Sequence, residues 1–79
     1  MAKTLAVYTS DTCPYCDMLK RFLDQQGIAY EERNISRNHE YVHDLIQMGF
    51  NGVPITVVDG EEAIVGYDPN SILQAVGRA

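Results

Sequence analysis

The sequence predicts an α/β fold of order β-α-β-α-β-β-α, in which a mixed four-stranded sheet is covered by three helices. Three observations predict it. The apolar period switches repeatedly between that of a strand and that of a helix. The first three segments make a strand–helix–strand unit, which implies a parallel pair joined by a right-handed crossover. An Asp59-Gly60 pair between two β-branched stretches signals a hairpin, which adds two antiparallel strands. The chain's 79 residues fit one domain, 1–79.

Leu5 to Tyr8 is a short apolar run with β-branched and aromatic character, a buried strand. Thr9 to Thr12 reads as a polar loop. Pro14 suits a first helical turn, where its missing N–H costs nothing. Tyr15, Met18, Leu19, Phe22 and Leu23 then recur at helical spacing, and Gly27 provides a stop. Ile28 to Ile35 alternates loosely and predicts a second strand. Ser36 or Asn38 can cap the second helix, whose apolar stripe is Val42, Leu45, Ile46 and Gly49. Val53 to Val58 is a third strand with Pro54 near its start, where a strand tolerates proline. Asp59-Gly60 reads as a two-residue turn into a fourth strand, Ala63 to Val65. Asp68-Pro69-Asn70-Ser71 is helix-start chemistry, and Ile72, Leu73 and Val76 give the last helix one apolar face.

A net charge of −5 argues against nucleic acid, because phosphate binding wants a basic face. Charges interrupt every apolar stretch before it reaches the ~18 residues of a membrane span. Met1 to Tyr8 is too short and too strand-like for a signal peptide, so a cytoplasmic location is expected, without membrane attachment and as a monomer. The two cysteines, Cys13 and Cys16, are separated by only two residues. A bridge between them would close a tiny loop and add little stability through chain entropy. Reactivity is the better reason for such a pair.

Cys13 falls at the start of the first helix, where unpaired N–H groups and the helix dipole favour a thiolate over a thiol. Cys16 lies one turn further on the same helix face, so the two sulfurs can meet. That arrangement suits a nucleophile, Cys13, and a resolver, Cys16, with Pro14 and Tyr15 stiffening the ring between them. Asp17 would raise the Cys16 thiol pKa if it lay close, and is otherwise a solvated helix-face acid. Lys20 and Arg21 can add weakly to the field at the site, or serve as ordinary surface charges. The competing class is a metal-binding module, since the cysteine pair plus His39 and His43 is a zinc-ligand set by residue type. The gap between the two pairs is longer than finger spacing, and the rest of the chain supplies a full sheet that a finger does not need.

Thr9 to Cys16 followed by a helix, Val53-Pro54 opening a strand, and Gly66-Tyr67 before the last helix together resemble the glutaredoxin family of the thioredoxin-like fold, over essentially the whole chain. The resemblance implies a thiol–disulfide oxidoreductase that needs no bound cofactor. It also implies a cis bond before Pro54, packed beside Cys13, and a free Val53 backbone that pairs with a thiol substrate; the plainer alternative for Pro54 is an edge-strand proline. Glutathione-using members carry a lysine shortly before the first cysteine and a Gly-Gly-Cys-Asp-Asp-like stretch before the last helix. Here those places hold Ser10 and Gly66-Tyr67-Asp68-Pro69. Arg37 or Arg33 can supply a charge for glutathione, and Tyr15 and the Val53 backbone are retained. Met48-Gly49-Phe50, Val53-Pro54 and Gly66-Tyr67-Asp68-Pro69-Asn70 resemble the NrdH-redoxins, which implies thioredoxin reductase as electron source and ribonucleotide reductase as client. The residue pair between the cysteines departs from that group's usual one. Tyr67 is either part of a partner-binding patch beside Cys13 or a cover for the core edge. A further role seen in the family is to carry an iron–sulfur cluster with glutathione, which Pro14 and Tyr15 disfavour.

Overall fold

A computed structural model of the chain describes residues 4–77. The elements are β1 (Leu5–Thr9), α1 (Pro14–Gln25), β2 (Glu31–Asn34), α2 (Glu40–Gln47), β3 (Ile55–Val58), β4 (Glu62–Val65) and α3 (Pro69–Ala75). The strands lie in the order β2-β1-β3-β4. β1 runs parallel to β2 and antiparallel to β3, and β3 runs antiparallel to β4. This is the thioredoxin-like arrangement with its four-stranded mixed sheet and three helices.

The two central strands are buried along their whole length, because helices cover both faces of the sheet. Alternation of side chains divides them into two cores. Leu5 and Val7 of β1, Val58 of β3 and Ile64 of β4 pack against Leu19 and Leu23 of α1 and Ile72 and Ala75 of α3. Ala6 and Tyr8, with Ile55 and Val57, point the other way and meet Leu45 of α2. The cysteine helix and α2 therefore lie on opposite faces of the sheet.

Several local expectations are corrected. Thr9 is the last residue of β1 and fully buried, because its hydroxyl donates to Glu32 Oε2 at 2.8 Å. Tyr15 and Met18 do not join the core; the buried line of α1 is Cys16, Leu19 and Leu23. β2 is confined to Glu31–Asn34, and Ile28 before it is buried in the core without being strand. The N-cap of α2 is His39, without a side-chain cap, in place of Ser36 or Asn38; Asn38 stands one residue before it and accepts from the Glu40 N–H at 3.0 Å. Ser36 instead accepts from the Asp11 N–H at 3.1 Å, which ties the loop before Cys13 to the loop after β2. Ile46 is exposed and leaves Leu45 as the buried residue of α2. Pro54 precedes β3. Asp59 and Gly60 both have positive φ, as hairpin chemistry requires, but the connection from Val58 to Glu62 takes in Glu61 as well. Asp68 caps α3 through the Ser71 N–H at 3.2 Å, with Pro69 in the first turn. Residues 1–3 of the expected opening stretch, and 78–79 at the end of the expected domain, lie outside the described residues. No described helix is long and apolar enough to cross a membrane.

Candidate active site

Cys13 is the N-cap of α1, in extended backbone with φ −112° and ψ 102°. Pro14 opens the helix with the fixed φ that position wants. The Cys13 sulfur accepts from the Cys16 backbone N–H at 3.1 Å, the place a serine or aspartate oxygen takes at an ordinary cap. An unpaired donor of the helix is thus aimed at the sulfur, where negative charge is favoured. The Cys13 thiol also faces the Val53 carbonyl, to which it can donate at 3.8 Å.

Both cysteines are free thiols, and they differ in access: Cys13 is half-buried, while Cys16 is 0% exposed. Burial, then its hydrogen bond with Cys13, pushes the Cys16 thiol up to about 12. A backbone hydrogen bond from Ser10 and the charge of Lys20 act the other way. At neutral pH Cys16 is therefore a protonated reserve beneath a reachable sulfur. Asp17 is not among the groups that shift Cys16; its carboxylate is turned to Lys20 at 3.8 Å and is largely solvated. Arg21 is exposed on the same helix.

The Val53-Pro54 bond is cis, as the resemblance implied. Pro54 is buried, and its carbonyl accepts from the Gly66 N–H at 2.9 Å. Gly66 has φ +79°, a conformation that favours glycine. Phe50, Val53, Pro54, Val65 and Gly66 take part in lining a shallow groove of about 160 Å³. Cys13, Cys16, Val53, Pro54 and Gly66 are thus linked by contacts into one site. Tyr67, between β4 and α3, lies against the flank of α1, sharing a hollow with Met18, Arg21 and Phe22. Tyr15, Met18 and Val65 are exposed by 61%, 43% and 64% near these residues.

The residues proposed for a glutathione charge are otherwise engaged. Arg33 pairs with Glu31 at 3.0 Å and donates to the Tyr8 hydroxyl at 2.7 Å, on the α2 face of the sheet. Arg37 is held near Asp11, 3.4 Å away, on the rim of a polar cleft of about 520 Å³ that Ser10 also lines. His39 at the N-cap of α2 and His43 within it are exposed, across the sheet from α1, so they do not join the cysteine pair. Among the described residues no group of three or more His, Cys, Asp or Glu side chains is placed to hold a metal ion. Sequence reasoning missed Thr9 and Glu32. The signal was present in part: Lys20 is four residues beyond Cys16, but its strand partner could not be read from local spacing.

Residues 5–63 match the protein-family model described as Glutaredoxin. The glutaredoxin-like protein NrdH of Lactococcus lactis subsp. lactis is 34% identical over 68 residues, covering 86% of this chain and 93% of that protein. Glutaredoxin 3 of Escherichia coli is 33% identical over 72 residues, covering 90% of this chain and 86% of that one. In three dimensions, the NrdH-redoxin of Escherichia coli, solved to explain its thioredoxin-like activity profile, superposes with a TM-score of 0.81 at 27% identity, over 90% and 92% of the two chains.

Proposed function

The chain belongs to the glutaredoxin family and is a thiol–disulfide oxidoreductase akin to the NrdH-redoxins, and from that premise we propose that it reduces protein disulfides through Cys13 and Cys16 with electrons from thioredoxin reductase. One observation carries the division of labour: a reachable sulfur capping a helix, above a fully buried and protonated one. Cys13 attacks the substrate disulfide and takes one half of it as a mixed disulfide. Cys16 then attacks Cys13 and frees the second thiol. Pro14 and Tyr15 hold the short ring. The Val53 backbone and Pro54 shape the substrate side, and Gly66 fixes the neighbouring turn. No bound cofactor takes part in this chemistry.

The choice of reductant rests on charge and surface. Ser10 stands where a glutathione carboxylate would want a cation, and Arg33 and Arg37 already have acidic partners. The exposed apolar side chains of Tyr15, Met18, Val65 and Tyr67 suit a protein partner better than a small anionic tripeptide. We read the protein as a cytoplasmic monomer with no nucleic acid or membrane partner, and ribonucleotide reductase as a fitting client.

The test is NADPH consumption coupled to reduction of a disulfide substrate, run with thioredoxin reductase and, separately, with glutathione plus glutathione reductase. Turnover with the first alone is expected. Turnover with glutathione alone would reverse the choice of reductant while leaving the exchange chemistry in place. Failure of both, with iron or zinc co-purifying, would favour the cluster-carrier or metal-binding alternative.

A further inference from the structure

Three side chains that the exchange chemistry does not use meet beside the cysteine helix, where Lys20 and Glu32 line the polar cleft that Ser10 and Arg37 also border. Lys20 Nζ lies 3.0 Å from Glu32 Oε2, and the same oxygen accepts from Thr9 Oγ1 at 2.8 Å. The register of β1 and β2 sets Glu32 beside Val7, whose side chain belongs to the α1 core, so Glu32 sits on the α1 face of the sheet. Lys20 is one helical turn beyond Cys16 and therefore on the same side of α1. Its side chain is 27% exposed, which is little for a lysine on a small domain. Thr9 is fully buried and leads directly into Ser10, whose backbone bonds to Cys16. We propose that Lys20, held in place by Glu32 and Thr9, is a positioning residue for the resolving step, a fixed cation that stabilises the Cys16 thiolate as it forms.

This rests on Cys13 being the attacking sulfur and Cys16 the resolving one. In the step concerned, the Cys16 thiol gives its proton to solvent and its sulfur bonds to Cys13. The bond between Cys13 and the substrate sulfur breaks, and its electron pair leaves on that sulfur, which then takes up a proton. The two cysteines together lose two electrons and the substrate disulfide gains them.

Electrostatics around Cys16 change when the mixed disulfide forms. Of the influences on its thiol, the hydrogen bond and charge of Cys13 belong to the free dithiol and vanish once Cys13 is bonded to substrate. Burial remains, opposed by the Ser10 N–H and by Lys20. The other charged or titratable groups on the surrounding elements are Asp11 in the loop, Asp17, Arg21 and Asp24 on α1, Tyr30 before β2, Glu31, Glu32 and Arg33 on β2, Arg37 beyond β2 and Asp68 at the start of α3. Arg33 with Glu31 is engaged with Tyr8 on the opposite face of the sheet. Asp17 and Glu32 face Lys20, Arg37 faces Asp11, and Asp68 caps its own helix. Glu32 itself is a poor base, since its hydrogen bonds from Lys20 and Thr9 hold its carboxyl below the usual range. Lys20 stays charged, because Glu32 pushes its pKa up.

Reaction with an aromatic disulfide that releases a coloured thiol separates the steps. Attack by Cys13 releases one equivalent and leaves the other bonded to Cys13; resolution by Cys16 releases the second. Stopped-flow traces are recorded across pH for the wild type, Lys20→Met, Lys20→Arg and Glu32→Gln. Removing a unit charge one helical turn away on a half-exposed helix shifts an ionisation by roughly half to one pH unit. In Lys20→Met the second phase should therefore slow about three- to tenfold relative to the first, and its pH midpoint should rise. Lys20→Arg should restore the wild-type midpoint. Glu32→Gln keeps an acceptor for Lys20 and removes a negative charge, so its midpoint should not rise. A merely structural ion pair would slow Lys20→Met and Glu32→Gln alike, and that result, or an unmoved midpoint in Lys20→Met, overturns the inference. A wild-type trace with no second phase dependent on Cys16 overturns the assignment of cysteine roles itself, and is recognisable as such.

Discussion

Cys16 is buried and protonated while Cys13 is reachable, and under the proposed mechanism this asymmetry gives the exchange its direction. A Cys16→Ser variant should accumulate the mixed disulfide at Cys13, seen by mass spectrometry as a stable substrate adduct. An adduct on the wild type but none on Cys16→Ser would show that the roles are reversed. A second single-residue expectation concerns Thr56, whose hydroxyl is buried with no hydrogen-bond partner. Thr56→Val keeps the shape and removes the cost of an unmade bond, so it should stabilise the protein by about 1 kcal/mol in urea denaturation. At this scale the sequence was legible wherever chemistry is local. The cysteine spacing, the proline after Cys13 and the Asp68 cap each announce themselves within four residues. Thr9 did not, because what turns a polar loop residue into a buried strand end is Glu32, 23 positions away. Thr56 looked like any β-branched strand residue.

Among the elements, α1 has two tasks: it presents Cys13 at its first turn and anchors itself by Leu19 and Leu23, both fully buried. Leu23→Ala removes methylenes from the larger core and should cost about 2–5 kcal/mol. In a domain this small that is a large share of the total, so the variant should be partly unfolded at 37 °C by circular dichroism. An unchanged melting curve would mean that α1 contributes little to holding the fold. The order of all seven elements could be read from the sequence because each changes period or is punctuated by Gly, Pro or a cap. Which apolar residues face inward was less legible. Five apolar positions on α1 span an arc wider than the strip the sheet and α3 cover, so Tyr15 and Met18 fall outside it and become surface. Ile46 falls outside the contact of α2 in the same way. β2 is an edge strand that pairs only with β1, over four positions, so the loose alternation around it carried no ladder to either side.

For the whole molecule, the buried thiol couples folding to pH and to redox state. The folded-state pKa of Cys16 is raised from the ordinary 9.0 to about 12. Between those values the unfolded chain releases the proton and the folded chain keeps it, so the folded state binds more protons and stability falls as pH rises. The contribution is fully present below pH 9.0 and is lost progressively toward about 12. The slope is at most about 1.4 kcal/mol for each pH unit, since one proton is involved. Tyr30 adds a loss of the same sign at higher pH, because burial also raises its hydroxyl. Oxidation to the Cys13–Cys16 disulfide removes the thiol proton from the balance and leaves Tyr30 in place. Melting temperatures of the reduced and oxidised proteins, measured from pH 8 to about 10.5, should therefore diverge above pH 9.0, with the reduced form falling more steeply. Parallel curves would mean that Cys16 ionises in the fold as it does in a free chain. A divergence makes the burial of Cys16 a destabilising load on the reduced protein in alkali, the cost against which the activation proposed for Lys20 would act.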